Sequence, residues 1–269
     1  MKLTFLGTAA AEGFPGVFCN CEACNKARKL KGKNIRTRHQ SLINDDLLVD
    51  LPADTYFHFL QNDIRADKIG YLLLTHSHSD HFYSHELFMR HAPFAHDMRV
   101  PVLKVFCGKG VMEKYIQSGE KENVEFTELN PFERTEVGPY FVTALPARHF
   151  SGDGAFIYLI EGEKNILYAH DTGYFYDEVI DFLKKSGIKL DFATMDCTHV
   201  DYVTTPLGGH MGIDSATQLV KQLDGVITPE TILYFNHFSK NCNPLHERIE
   251  ALLQDTPFKV AYDGCVAEF

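Results

Sequence analysis

The sequence of 269 residues has no tryptophan, no long apolar run and fewer basic than acidic residues. A large core is still feasible, because 21 Phe and 12 Tyr supply aromatic bulk. No apolar run approaches the roughly 18 residues that span a bilayer, which excludes a candidate transmembrane helix. The 26 Lys and Arg against 36 Asp and Glu give a formal net charge of −10, which repels a phosphate backbone. We therefore expect no membrane partner and no broad face for binding polynucleotides.

The seven cysteines do not have the pattern of a secreted disulfide scaffold. The opening residues, MKLTFLG, are too short and strand-like to be a signal peptide, so we expect a cytoplasmic protein with reduced thiols. The number of cysteines is odd, and three of them crowd into positions Cys19, Cys21 and Cys24. In a reducing compartment this crowding indicates metal binding rather than disulfides.

The chain also lacks internal repeats, low-complexity tracts and Pro/Gly/Ser-rich linkers, so we predict one domain over residues 1–269. Strands are predicted in pairs or threes between single helices, which favours two sheets packed face to face with helices outside, an α/β (α+β) fold, over a doubly wound sheet. The predicted strands are 3–6, 41–49, 70–74, 101–106, 140–145, 155–161, 165–168, 192–195 and 231–235. The predicted helices are 53–60, 84–91, 111–118, 176–186, 213–223 and 244–253.

The segment THSHSDH, from Thr75 to His81, is the strongest chemical signal in the sequence. It places three imidazoles and one carboxylate directly after a buried apolar strand. Burying these groups without a partner would cost about 1–3 kcal/mol for each unpaired group. His76 and His78 alternate in an extended stretch and can face one ion, whereas Asp80 and His81 face a second position. The segment therefore predicts metal binding, with further ligands supplied from elsewhere in the chain.

The order of motifs along the chain resembles the metallo-β-lactamase superfamily. The HxHxDH segment is followed by an isolated His149 in ARH, by Asp171 in HDTG and by His237 in NHF. The residues LGTAA at positions 6–10 also resemble the opening strand and turn of that superfamily. The resemblance spans residues 6–237 and implies a four-layer αββα sandwich with two adjacent metal ions.

The resemblance also implies which residues hold each ion. The first ion would be bound by His76, His78 and His149, and the second by Asp80, His81 and His237, with Asp171 bridging the two. These ligand types suit Zn²⁺ and also Mn²⁺ or Fe²⁺. Because position 78 is His rather than Glu, the redox-active diiron branch is disfavoured. Two such ions would activate a shared hydroxide for hydrolysis.

A second motif, GGHMG at residues 208–212, lies between a predicted strand and a predicted helix. Flanking glycines allow a close approach of the backbone to a ligand, so His210 is free to reach the metal centre. We interpret His210 as a catalytic residue that protonates the leaving oxygen or holds a phosphate. The alternative is that His210 only caps the following helix. A similar Gly-His element occurs in phosphodiesterase branches of the superfamily.

The segment CNCEAC, with Cys19, Cys21 and Cys24, can wrap one tetrahedral Zn²⁺ that needs a fourth ligand. This small insert near residues 19–24 resembles the phosphoribosyl 1,2-cyclic phosphate phosphodiesterases, whose structural zinc is completed by a His three residues after the last catalytic His. That position is Lys240 here. Cys242 or His246 could serve instead, and we expect Cys242. If neither residue reaches the thiols, the fourth ligand would be water or the site would be empty. Three reduced thiols without a metal are the alternative.

The remaining histidines carry less information. His58, His85, His91 and His96 lie on or beside amphipathic stretches and are predicted to be solvated. His170 is expected to orient Asp171 rather than to bind metal. His199 lies at a strand end, where it either supports a ligand or contacts the substrate.

The leading functional hypothesis is a dinuclear metal-dependent phosphodiesterase that opens a small cyclic phosphate, with a cyclic phosphoribosyl phosphate favoured by the resemblance. Zinc or manganese would be the active-site cofactor, the partner would be a small phosphorylated substrate, and the subgroup suggests a homodimer. The alternatives are a nuclease similar to the tRNA 3′-processing enzymes, a thioester or lactone hydrolase, and a metal-binding protein of cofactor biosynthesis without catalysis.

Overall fold

The structure is a computed structural model that describes residues 1–116, 123–150 and 154–269. Two seven-stranded sheets can be traced through these residues. In its spatial order the first sheet consists of β14 (Cys265–Glu268), β1 (Lys2–Gly7), β2 (Gln40–Ile43), β3 (Leu47–Val49), β4 (Tyr71–Leu74), β5 (Leu103–Cys107) and β6 (Val124–Glu128). The second consists of β13 (Phe258–Val260), β12 (Ile232–Asn236), β11 (Phe192–Asp196), β10 (Asn165–Ala169), β9 (Ala155–Glu161), β8 (Tyr140–Ala147) and β7 (Arg134–Val137).

Except for the first helix, Glu22–Leu30, which packs with Phe14 and Leu245, the helices cover the outer faces of the two sheets. They are α1 (Glu22–Leu30), α2 (Thr55–Gln61), α3 (His85–Phe88), α4 (Lys109–Ile116), α5 (Asp177–Ser186), α6 (Ile213–Gln222) and α7 (His246–Leu252). In the described part of the chain, no helix combines the length and the apolar character that a membrane crossing requires.

Three apolar layers separate the four structural layers. Phe5 of the first sheet and Phe192 of the second belong to one buried cluster, which fills the space between the sheets. On the far side of the second sheet, Leu219 of α6 packs in a cluster with residues of α5 and α7. On the far side of the first sheet, Val111 of α4 packs with Leu72 of β4. Helix, sheet, sheet and helix thus follow one another, which confirms the predicted four-layer αββα sandwich.

Parallel strands bring the chemically important residues to one edge. β3 pairs in parallel with β4 in the first sheet, and β10, β11 and β12 pair in parallel in the second. Because parallel strands end at the same side of a sheet, the residues that follow them lie next to each other. The segments after β4, β10 and β12 begin with Thr75, His170 and His237. The register of the sheets therefore assembles the site.

Several local predictions needed correction. The predicted strand 41–49 is a hairpin of β2 and β3, in which Ser41 pairs with Val49 across a turn at Asn44-Asp45-Asp46. Helix α1 was not predicted, because the segment CNCEAC, in which it begins, was interpreted only as a set of ligands. The predicted helix 111–118 begins at Lys109, and its residues 117 and 118 lie outside the described residues. His58 and His91 are buried rather than solvated, whereas His85 and His96 are exposed as expected.

Candidate functional site

The backbone turns sharply where the strands that lead into the site end. Asp50 after β3, Asp171 after β10 and His237 after β12 all have left-handed backbone conformations, with φ of 64°, 51° and 61°. Such conformations are uncommon for residues other than glycine and cost of order 1–3 kcal/mol, so the surrounding structure must hold them. Strained backbone at three strand ends that lead into one site is typical of a functional site.

The seven predicted metal ligands form two groups that share one carboxylate. The first group contains His76, His78, His149 and Asp171, and the second contains Asp80, His81, Asp171 and His237. Within each group the ligand atoms lie within 4.8 Å of one another. Asp171 Oδ2 lies 3.2 Å from His76 Nε2 and 3.1 Å from His81 Nε2, so it faces both groups at once. The arrangement provides two adjacent binding positions on either side of Asp171.

These donors fit divalent metal ions. His81 Nε2, Asp171 Oδ1 and His237 Nε2 are buried and make no well-directed hydrogen bond among the described residues, although His81 Nε2 lies 3.1 Å from Asp171 Oδ2 and Asp171 Oδ1 lies 3.1 Å from His210 Nδ1. Burial lowers the pKa of His149 and of His237 to about 4, so both are neutral at pH 7 and able to bind a metal. Unpaired buried groups cost about 1–3 kcal/mol each, and a bound cation would satisfy them. Imidazole and carboxylate ligands suit Zn²⁺, Mn²⁺ and Fe²⁺ alike.

Asp50 orients a ligand of the second group and was missed in the sequence. It accepts hydrogen bonds from His81 Nδ1 at 2.7 Å and from His170 Nε2 at 3.0 Å. It also accepts from the backbone and the hydroxyl of Thr75, both at 2.9 Å. His170 therefore supports Asp50, and thereby His81, rather than Asp171 as expected. A carboxylate directly after the buried run LLV was the available signal.

Asp196, at the end of β11, orients side chains on the other side of the site, as Asp50 orients His81. It accepts hydrogen bonds from the hydroxyl of Thr198 at 3.0 Å and from the backbone of Met211 at 2.8 Å. The Thr198 hydroxyl in turn accepts from His237 Nδ1 at 2.8 Å. Asp196 Oδ2 also lies 3.4 Å from His210 Nδ1. One buried carboxylate thus orients a predicted ligand and the predicted catalytic histidine together.

His210 lies beside the two ligand groups. Its Nδ1 is 3.1 Å from Asp171 Oδ1, and its side chain is 24% exposed, so the ring reaches solvent. Burial lowers its pKa, but the hydrogen bond to Asp196 and the charges of Asp196 and Asp171 outweigh burial and raise the pKa to about 9. The N-cap of α6 is Gly212, so His210 does not cap this helix.

Glycines beside the site allow close packing around His210. A Cβ at Gly209 would lie 2.5 Å from the ring of Phe150, an exposed side chain that would have to turn away. The carbonyl oxygen of Gly208 would lie 1.8 Å from a Cβ at Gly173, next to Asp171. The GGHMG segment therefore packs closely on the loops of His149 and Asp171, and this places His210 at the site.

The structure brings three of the four predicted structural zinc ligands together. The sulfur atoms of Cys19, Cys21 and Cys24 lie within 4.8 Å of one another. Hydrogen bonds from the backbone of Cys24 and from the thiols of Cys19 and Cys24 lower the pKa of Cys21 to about 7. Among the described residues, no fourth Cys, His, Asp or Glu joins this group.

Neither expected fourth ligand reaches the three thiols. Cys242 is buried in the core between the second sheet and its helices, in the same cluster as Cys197. His246 Nε2 lies 3.1 Å from Glu250, and its Nδ1 lies 3.5 Å from Arg36. Cys242 points into the core because α7 and the preceding turn pack against the second sheet. The expectation that Cys242 completes a four-ligand site is therefore not met.

The chain matches a family model in sequence and several solved structures in fold. Residues 50–238 match a family model described as a beta-lactamase superfamily domain. No curated protein matches the sequence. The structure is similar to a diphosphatase from the PhnP family, with a TM-score of 0.74, 21% identity, and coverage of 100% of this chain and 96% of that one.

Two further solved structures are similar over the whole chain. Zn²⁺-bound PqqB from Methylobacterium extorquens has a TM-score of 0.74 and 16% identity, with 100% of both chains covered. The short form of human tRNase Z has a TM-score of 0.67 and 16% identity, with 100% of this chain and 99% of that one covered. At these identities the similarity to solved structures establishes the fold alone.

Proposed function

The chain belongs to the beta-lactamase superfamily, and on that premise we propose that it is a metal-dependent hydrolase of a small phosphodiester. The observation that carries this proposal is the carboxylate of Asp171, which joins both ligand groups and lies 3.1 Å from His210 Nδ1. Two metal positions beside a histidine that can deliver a proton suit the cleavage of a P–O bond. The resemblance in CNCEAC and GGHMG favours a cyclic phosphoribosyl phosphate as the substrate.

The two ligand groups would hold one divalent ion each. When bound, such ions supply an activated water and neutralise charge on phosphoryl oxygens. The protein contributes orientation, because the second nitrogen of several ligand imidazoles is already bonded. His81 donates to Asp50, and His237 donates to Thr198. These partners fix the ring planes before substrate arrives, which is the usual role of such hydrogen bonds around a metal centre.

His210 would donate a proton to the leaving oxygen. Asp196 and Asp171 both lie near Nδ1, which leaves Nε2 as the ring nitrogen that can face a substrate. The loop of glycines holds the ring at the site but leaves it partly exposed. A small phosphodiester could therefore contact His210 while its phosphoryl group lies beside Asp171. The net charge of −10 disfavours a long polyanion as the natural substrate.

A panel of substrates tests the proposed function. Bis(p-nitrophenyl) phosphate, a 2′,3′-cyclic nucleotide, a cyclic phosphoribosyl phosphate and a dinucleoside diphosphate would be compared with a thioester and a lactone, each with Mn²⁺ or Zn²⁺. The diphosphate is included because one similar structure is a diphosphatase. We expect turnover of phosphodiesters that is lost in Asp80→Ala. Turnover of the thioester or lactone alone, with metals bound, would contradict the proposal.

Replacement of His210 is expected to affect substrates according to their leaving group. In His210→Ala, kcat for a cyclic phosphoribosyl phosphate should fall by about 10²–10⁴-fold, because its alkoxide leaves poorly without a proton. For bis(p-nitrophenyl) phosphate the loss should be much smaller, because p-nitrophenolate leaves without protonation. His96→Ala, at an exposed histidine, serves as the control. Equal losses on both substrates would argue against proton donation.

A further inference from the structure

The three-thiol group of Cys19, Cys21 and Cys24 differs from a closed structural zinc site. A structural zinc site is normally tetrahedral with four protein ligands. Here the described residues supply three thiols within 4.8 Å and no further Cys, His, Asp or Glu. Soft thiolates in this arrangement still favour Zn²⁺ over the hard cations. A metal held by these thiols would therefore keep one coordination position that the protein does not fill.

The side chain of Lys240 passes close to this position. A Cβ built on Gly16 would lie 2.7 Å from Lys240 Cδ and 3.1 Å from Cys19 Cβ, so the lysine stem packs beside Cys19. Lys240 Nζ donates to Asn241 Oδ1 at 2.6 Å. An ammonium has three donors and no free lone pair, so it does not bind a metal in this form.

A pocket of about 420 Å³ opens next to the thiol of Cys21. Cys21, Lys26, Lys240 and Asn241 line it, and Cys21 is exposed. Three thiolates and one divalent cation carry a net charge of −1. The two lysines outnumber the one carboxylate of the lining, that of Glu22, so they partly offset this charge and would also attract a further anionic donor. The pocket thus gives small anions or thiolates access to the thiol of Cys21.

The insert is held to the rest of the chain without a metal. Cys24 and Ala27 of α1 pack in a buried cluster with Phe14 and Leu245. Arg28 donates to the carbonyl oxygens of Cys19 and Gly16, at 2.8 and 3.2 Å. Structural zinc sites, by contrast, supply much of the folding free energy of the element that they close. Removing a metal from these thiols should leave the fold of the insert intact.

We propose that Cys19, Cys21 and Cys24 form an exchangeable zinc site whose fourth coordination position is open to a small thiolate or anion from the neighbouring pocket. This assignment is independent of the reaction at the Asp171 centre. Its ligands are thiols, whereas the described ligands of that centre are imidazoles and carboxylates. The two sites can therefore be distinguished by spectroscopy in the full-length protein.

Cobalt substitution provides the first test. The near-ultraviolet charge-transfer absorption between thiolate and Co²⁺ reports the three-thiol site alone. We expect this absorption in the wild type and in Cys107→Ser, a control at a buried cysteine of β5, and its loss in Cys21→Ser. Adding 2-mercaptoethanol should shift the wild-type spectrum, because the thiolate enters the open position. An unchanged wild-type spectrum, or no absorption at all, would overturn the proposal.

Lys240→His provides the second test. The side chain at position 240 already packs beside Gly16 and Cys19, so an imidazole there would lie close to the three thiols. In competition with a chromophoric chelator, Lys240→His should hold zinc at the three-thiol site more tightly than the wild type, on the order of tenfold or more. Lys240→Ala removes the charge without adding a ligand and should change the affinity much less. Circular dichroism should show an unchanged fold after zinc leaves the wild type. Equal zinc retention by the wild type and Lys240→His, or unfolding on zinc removal, would show that the site is closed and structural.

Discussion

Asp171→Ala is expected to lose both active-site metal ions and to lower kcat/KM for a phosphodiester by at least about 10⁴-fold. The reason is that Asp171 belongs to both ligand groups. One of its carboxylate oxygens, Oδ2, lies 3.2 Å from His76 of the first group and 3.1 Å from His81 of the second. Removing it leaves two incomplete sets of ligands and removes the anion that lies between them.

Replacing His237, a proposed ligand of the second group alone, provides a comparison for Asp171→Ala. In His237→Ala, metal analysis should show loss of the ion held by the second group, while the first group keeps its imidazoles and Asp171. Asp191→Ala is a matched control, because Asp191 directly precedes β11 and pairs with Lys164 at 2.8 Å. It should keep full metal content and activity. Asp171→Ala with two ions still bound would contradict the assignment of Asp171 as the shared ligand.

The second large effect is expected at Asp50, which touches no proposed ion. Asp50→Ala should lower the free energy of unfolding by about 3–5 kcal/mol, because a fully buried carboxylate with several bonded partners is removed. Burial raises the pKa of Asp50. The electrostatic attraction of His81 and the hydrogen bonds from His170 and His81 outweigh this effect and keep the pKa well below its usual range. Without Asp50, the His81 ring loses its 2.7 Å bond and its orientation.

Metal affinity distinguishes a role of Asp50 in orienting the His81 ring from a role in the stability of the fold alone. Asp50→Asn keeps the volume and one acceptor, and should weaken binding of the second ion by about 10–100-fold while the first ion is less affected. Asp45→Asn, at an exposed carboxylate that pairs with Lys2 at 3.0 Å, is the control and should change neither quantity measurably. Equal weakening of both ions in Asp50→Asn would mean that Asp50 acts through general stability and not through His81.

The ligand types of the site were recognisable in the sequence because they are concentrated locally. Four of the seven proposed ligands lie in THSHSDH, and each of the others follows a short apolar run. The fold class was also predictable, because paired strands between single helices limit the layers that can bury their apolar faces. Short strands of low apolar content, such as β7 (RTEV), do not carry this signal and were missed.

The residues that orient the ligands were not predictable from their neighbours in the sequence. Asp50 bonds to His81 across 31 positions, and Asp196 approaches His210 across 14. Each pair depends on which strands lie side by side and on their register, which local patterns do not specify. The same limit explains Cys242, which follows the site motif closely but packs into the core with Cys197.

The linear sequence was sufficient for the ligand types of the candidate metal centre, the order of its motifs and the four-layer class, because each depends on residue types at short spacing. The family resemblance also implied the bridging position of Asp171. Folding alone decided that Asp50 and Asp196 hold their imidazoles, and that the three thiols lack a fourth protein ligand among the described residues. The physical reason is that the hydrogen-bond partners of these residues depend on the direction in which each side chain points at the end of its strand. That direction is set by strand register and by the packing of the two sheets, which form only in the folded chain.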